Sequence, residues 1–199
     1  FANENKNLIE VRSSGSLGFF YDGKCHKTYE NSTISPEENK EWCSNIAKDK
    51  SDNPWIAYSI KGKQIKVSKF ALRNGCCKYE CCCEEDGYVI DETCCCLFYS
   101  YSLHASNDNK TWTTLHKVEK DQSFDFCSIK EFELNEMSKP FTFIKLRMDQ
   151  EYPGCPLCMQ INQIELYGQV VSSGFTQFIE NSDDEEDSIS IIGRIKKIE

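Results

Sequence analysis

Eight short stretches of this chain alternate polar and apolar side chains with a period of two, and no long segment carries the period of an amphipathic helix. They span residues 9–13, 55–60, 65–72, 99–105, 112–115, a part of 124–134, 141–148 and 161–167. Alternation puts successive side chains on opposite faces of an extended backbone, so each stretch can bury one face only. In 55–60, Trp55, Ala57 and Ser59 share one face and Ile56, Tyr58 and Ile60 the other. The stretches are rich in β-branched and aromatic residues and are punctuated by Asn, Asp and Gly. About eight such strands predict an all-β sandwich or jelly roll. A short helix is predicted at 35–42, where Ser35 can cap and Pro36 suits the first turn.

At 199 residues the chain suits a single domain with extensions, large enough to bury a core without staples. Its formal net charge of −9 repels phosphate, which argues against nucleic acid and anionic membranes as partners. Beyond Gly168 the texture changes. An acidic run, Asn181 to Asp187, precedes an Ile-Ser-Ile-Ile segment, so 171–199 reads as a tail. Such a tail can add a strand to a partner's sheet or pack on its own domain.

The chain holds 13 cysteines, an odd number. Eight fall between Cys76 and Cys96: Cys76, Cys77, Cys81, Cys82, Cys83, Cys94, Cys95 and Cys96. Three bonding states stay open. Disulfides would link one run to another, or to Cys155 and Cys158. A zinc site is suggested by the Cys155-x-x-Cys158 spacing, completed by two loop cysteines. Reduced thiols would pack as small apolar groups. The redox chemistry that Cys-x-x-Cys also suggests wants a helix after the motif, and here a strand follows. His26, His104 and His116 stand in no nucleophile constellation, so the chain reads as a non-enzyme. The patterns Asn31-Ser32-Thr33 and Asn109-Lys110-Thr111 match glycosylation acceptors at a frequency that chance supplies.

Four motifs resemble the factor V/VIII type C, or discoidin, family. Trp55-Ile56-Ala57-Tyr58-Ser59-Ile60 is similar to its W-I-x-y-D-f strand. Ser106-Asn107-Asp108 followed by Trp112 and Leu115 is similar to its S-N-D-n-x-x-W-x-x-L hairpin. Phe143-Ile144-Lys145-Leu146-Arg147 stands where the family has f-R-y-l-R, and Ile164-Glu165-Leu166-Tyr167-Gly168 is similar to its closing I-E-f-f-G. Order and spacing agree over residues 7 to 170. The variant found after BTB domains in protist proteins is the most similar form.

The resemblance implies an eight-stranded, galactose-binding-like jelly-roll sandwich at 1–170, with long apical loops, a cysteine-rich insertion at 74–97 and a C-terminal tail. Family members are binding modules. Their ligand end is built from apical loops, which here carry Phe19, Phe20, Tyr21, Trp42, Arg73, Asn74 and Tyr152 as candidate contacts. The alignment gathers twelve cysteines at that end and leaves Cys127 apart. It also implies a structural calcium held by Asp22, Thr28 and Glu165. The function expected is protein–protein binding within a larger cytoplasmic or cytoskeletal assembly, with the tail as docking segment. The alternative is an extracellular glycan-binding or adhesion domain.

Overall fold

The computed structural model describes residues 8–34, 41–49, 52–76, 82–83, 96–172 and 190–191. Two sheets face each other across one core. Their strands are β1 (Ile9–Ser13), β2 (Ser16–Tyr21), β3 (Lys24–Lys27), β4 (Trp42–Ser44), β5 (Trp55–Ile60), β6 (Lys63–Asn74) and β7 (Cys82–Cys83). The series continues with β8 (Ser100–Ser106), β9 (Thr113–Val118), β10 (Ile129–Glu133), β11 (Phe143–Gln150), β12 (Gln160–Ser172) and β13 (Ser190–Ile191). The first sheet has the order β1-β5-β11-β8-β9. The second has the order β10-β6-β12-β4-β2-β3, with β13 beside β12 and β7 beside β2. All pairings between these strands are antiparallel.

The alternation read from the sequence decides which face goes inward. Ile56 and Tyr58 of β5, Leu103 and Ala105 of β8, and Ile144, Leu146 and Met148 of β11 meet Ile65, Val67, Phe70 and Leu72 of β6 and Ile161, Ile164 and Leu166 of β12. In β6 the inward residues change from odd to even numbers after Val67. The register with β12 slips there, with Tyr167 opposite Lys69 and Gly168 opposite Val67. One extra residue in a strand reverses the face of everything after it, so this bulge lets one strand keep a continuous apolar side. Gly168 is needed at the slip. A Cβ there would lie 1.8 Å from the Lys66 carbonyl oxygen. A second slip, between Ile161 and Gln163, performs the same reversal in β12.

The hairpin between β8 and β9 closes as its Asn/Asp composition predicts. Asp108 Oδ1 accepts from the amides of Thr111 (2.7 Å) and Lys110 (2.8 Å) and from the Ser106 hydroxyl (2.9 Å). Those donors hold its carboxyl down at about 2.

Several expectations need correction. Trp42 begins β4, and a 3-10 helix runs earlier, at Glu30–Ile34. Residues 35–40 of the predicted helix lie outside the described residues. The strands β2, β3, β4 and β7 had not been expected as strands, whereas β13 falls in the Ile-Ser-Ile-Ile segment read as one. Part of the tail returns to its own domain: Ile191 pairs with Tyr167 and Ser190 with Gly168.

Candidate functional site

The loops at one end of the sandwich converge. The β1–β2 connection is tied to β5 and to residue 45 by Ser14 N to Trp55 O (3.0 Å) and Asn45 N to Gly15 O (3.1 Å). Ala47 N donates to Leu157 O (3.0 Å), joining the segment before β5 to the β11–β12 loop. Gly75 N donates to Gln160 O and Gln160 N to Cys96 O, both at 3.1 Å, so both ends of the cysteine-rich insertion are fastened at the start of β12.

Disulfides tie the same segments. Cys25 is bonded to Cys83, Cys43 to Cys82, Cys76 to Cys127 and Cys96 to Cys158. Cys155 is also disulfide-bonded. Every described cysteine is thus oxidised, and Cys155 and Cys158 are not partners of each other. Cys127, set apart in the sequence reading, is the partner of Cys76. A sequence alignment registers strands and could not see that the segment before β10 folds back to Gly75, whose carbonyl accepts from Cys127 N at 2.9 Å. Cys77, Cys81, Cys94 and Cys95 lie outside the described residues.

The candidate contact residues separate by burial. Trp42 and Asn74 are 0% exposed and cannot touch a ligand. Trp42 fills the core and donates from Nε1 to Ser16 Oγ at 2.8 Å. Asn74 Nδ2 donates to the carbonyls of Phe124 (3.1 Å) and Asp125 (3.3 Å). Phe19 packs on the cluster formed by Cys43, Cys82, Cys96 and Cys158, and Phe20 is half-buried. The Tyr21 side chain lies outside what is described. Arg73 is half-buried beside Glu41, and its Nε makes no hydrogen bond among the described residues. Tyr152 stands in the β11–β12 loop, half-buried, its ring edge-on to the buried Tyr99 at 5.5 Å. Of the seven, Tyr152 has the geometry of a supported aromatic platform.

Sequence reasoning missed Glu41. Its carboxylate accepts from the Cys76 amide at 2.6 Å and from the Gln160 side-chain amide. Burial pushes its pKa up, against the opposing pull of those bonds and of Asn162 and Arg73. Glu41 therefore clamps the lead-in to β4, the end of β6 and the start of β12. Nothing in an exposed-looking Glu-Trp dipeptide signals this.

The residues assigned to calcium sit on separate elements. Asp22 occupies the exposed β2–β3 turn with a positive φ of 50°. The Thr28 hydroxyl donates to Leu17 O at 2.5 Å and accepts from Cys43 N at 3.2 Å. Glu165, 2% exposed, accepts from the Tyr167 hydroxyl. Among the described residues no group of three or more His, Cys, Asp or Glu is placed to hold a metal in this oxidised form.

No catalytic arrangement forms around the histidines. Cys25, beside His26, is locked in a disulfide. His104 lies on the outward side of the first sheet yet is covered, 7% exposed, with Ser102 Oγ 2.7 Å from Nε2 and Thr114 Oγ1 3.2 Å from Nδ1. Burial, with Arg147 and Lys145 nearby, lowers its pKa to about 4, against a smaller upward pull from Asp149. It is a neutral hydrogen-bonding residue at neutral pH.

No protein-family model matches the chain, and no curated protein matches it. Solved structures do match in fold. The module CpGH89CBM32-5 from Clostridium perfringens, solved with GalNAc-β-1,3-galactose, superposes with a TM-score of 0.54 at 15% identity, over 81% of this chain and 96% of that one. The C-terminal domain of a chitobiase from Bacteroides fragilis gives 0.52 at 12% identity, over 84% and 98%. The CBM32 of AlyQ, solved with 4,5-unsaturated mannuronic acid, gives 0.51 at 10% identity, over 80% and 94%. The chain has the two-sheet, jelly-roll β-sandwich fold of these structures.

Proposed function

We propose that this chain is a non-catalytic glycan-binding module of an oxidising, extracellular compartment, and that its disulfide-tied apex holds the sugar. The observation that carries the reading is the shared fold over nearly the full length of a module solved with a bound disaccharide. The disulfides support it. Cross-links of this density persist where thiols are not kept reduced, and a sugar site gains from loops fixed before the ligand arrives. Tyr152, braced by Tyr99, supplies an aromatic face for a pyranose ring. Arg73, half-buried near the end of β6, is a second candidate contact. The protein-assembly role and the tail as docking segment draw no support from the fold comparison, and β13 lies on the chain's own β12.

The test is a glycan array followed by calorimetry on the oxidised chain, beginning with galactose and GalNAc-β-1,3-galactose. Saturable binding that Tyr152→Ala abolishes, while that variant still folds and melts cooperatively, supports the reading. A blank array and no heat with either sugar overturn it.

A further inference from the structure

Four of the apical sulfurs form one buried cluster. Cys43, Cys82, Cys96 and Cys158 are 0–2% exposed and share a pocket with Leu17, Phe19 and Ile46. They arrive from four separate segments: β4, β7, the residues before β8 and the residues before β12. Oxidised, they make the bonds Cys43–Cys82 and Cys96–Cys158, with Cα–Cα separations of 5.8 and 4.9 Å. The two bonds touch, with Cys82 Sγ 3.7 Å from Cys96 Sγ.

That separation has a chemical meaning. A zinc ion bound by four thiolates at about 2.3 Å has sulfur–sulfur edges of about 3.8 Å in a regular tetrahedron. The edge between the two disulfides already has this length. Parting the sulfurs of each bond on reduction gives two more of the six edges, and the packing of all four residues in one cluster keeps the remaining three within reach. We propose that the reduced chain carries a four-cysteine zinc site at Cys43, Cys82, Cys96 and Cys158, so that the apex has a disulfide form and a zinc form. This ligand set differs from the one the Cys-x-x-Cys spacing suggests, because Cys155 stands outside the cluster in a bond of its own.

The balance is closed. A small dithiol reduces the two disulfides, giving two electrons and two protons to each and becoming oxidised to its own disulfide. Zinc then replaces the four thiol protons, which pass to solvent as four Zn–S bonds form. The metal compensates for bringing thiolates into an apolar pocket, a cost they would not bear alone. Tetrahedral sulfur coordination with no room for water is the pattern of structural zinc. The inference does not depend on the apex binding a sugar.

The experiment uses the full chain, reduced with dithiothreitol, freed of reductant without oxygen and titrated with Co²⁺ as probe, then with Zn²⁺. Expected are the visible bands of tetrahedral thiolate cobalt, erased by zinc and lost in Cys43→Ser and in Cys158→Ser. The bands persist in Cys155→Ser. A second measurement guards against misfolded variants: alkylation of the reduced wild-type chain with and without zinc, mapped by peptide mass. Protection confined to the four cluster cysteines supports the site. Absence of tetrahedral bands, bands that survive Cys43→Ser, or protection on other cysteines overturns it.

Discussion

Cys82 and Cys83 are successive residues of β7 that bond in two directions, Cys82 to Cys43 on β4 and Cys83 to Cys25 on β3. Alternation along a strand is what permits this, because neighbours point to opposite faces. A two-residue strand thereby joins β3 and β4, in addition to β2, with which its backbone pairs. Removing the outer bond with Cys25→Ser and Cys83→Ser together opens a loop of 58 residues. The expected loss is about 2–4 kcal/mol of unfolding free energy. Chemical denaturation of the double variant against the oxidised wild type measures it.

Gly18 faces this bond. A Cβ on it would lie 2.4 Å from Cys25 Sγ and 3.1 Å from Cys83 Sγ, with the His26 carbonyl oxygen at 2.9 Å. Gly18→Ala therefore obstructs the Cys25–Cys83 bond specifically. Disulfide mapping of the variant should find those two cysteines alkylated, while Cys76–Cys127, more remote, stays closed. Mapping that recovers Cys25–Cys83 intact contradicts the expectation.

Trp42 and Tyr152 looked equivalent as aromatic apical residues, and the fold gives them opposite roles. Trp42→Phe removes a hydrogen bond to the exposed Ser16 hydroxyl, worth about 0.5–1.5 kcal/mol, and leaves space in the core that adds to the loss. Sugar affinity of the folded fraction should not change. Tyr152→Ala removes one partner of an aromatic pair worth about 0.5–1.5 kcal/mol and should abolish sugar binding. Paired denaturation and calorimetry separate the two.

His104 makes stability depend on pH. Its folded pKa of about 4 lies below the ordinary value of 6.5. Between these values the unfolded chain takes up a proton that the folded chain refuses, so stability rises with pH across the window. The contribution is complete above 6.5 and is lost as pH falls towards 4. Each unit of the depression is worth about 1.4 kcal/mol. Urea midpoints should fall between pH 7 and pH 4.5 more steeply for wild type than for His104→Gln, and equal slopes would refute the assignment.

The sandwich was legible because its signal is local. Each of the eight alternating stretches became a strand, and the prediction that Ile56 and Tyr58 share a face held because period two leaves no other choice. The apex was not legible because its order comes from pairings that no short window contains. Lys24–Lys27 is a strand only because β2 lies beside it, and Cys82–Cys83 because Gly18 and Phe19 do. Burial of Trp42 followed the same logic. Its neighbours in sequence are polar, and its neighbours in space are supplied by both sheets. Glu41 was invisible because its partners, Cys76 and Gln160, lie 35 and 119 residues away.

The spans of these bonds also favour an order of events. The four named disulfides join residues 39 to 62 positions apart, and β2 lies between β3 and β7, which carry Cys25 and Cys83. Pairing of β3 and β7 with β2 brings those two sulfurs together and so removes the loop-closure cost that their bond would otherwise bear. Thiol disappearance then serves as a clock for maturation. A chain stalled before the apex assembles would still be alkylated at Cys25 and Cys83, and one protected at both has closed that bond.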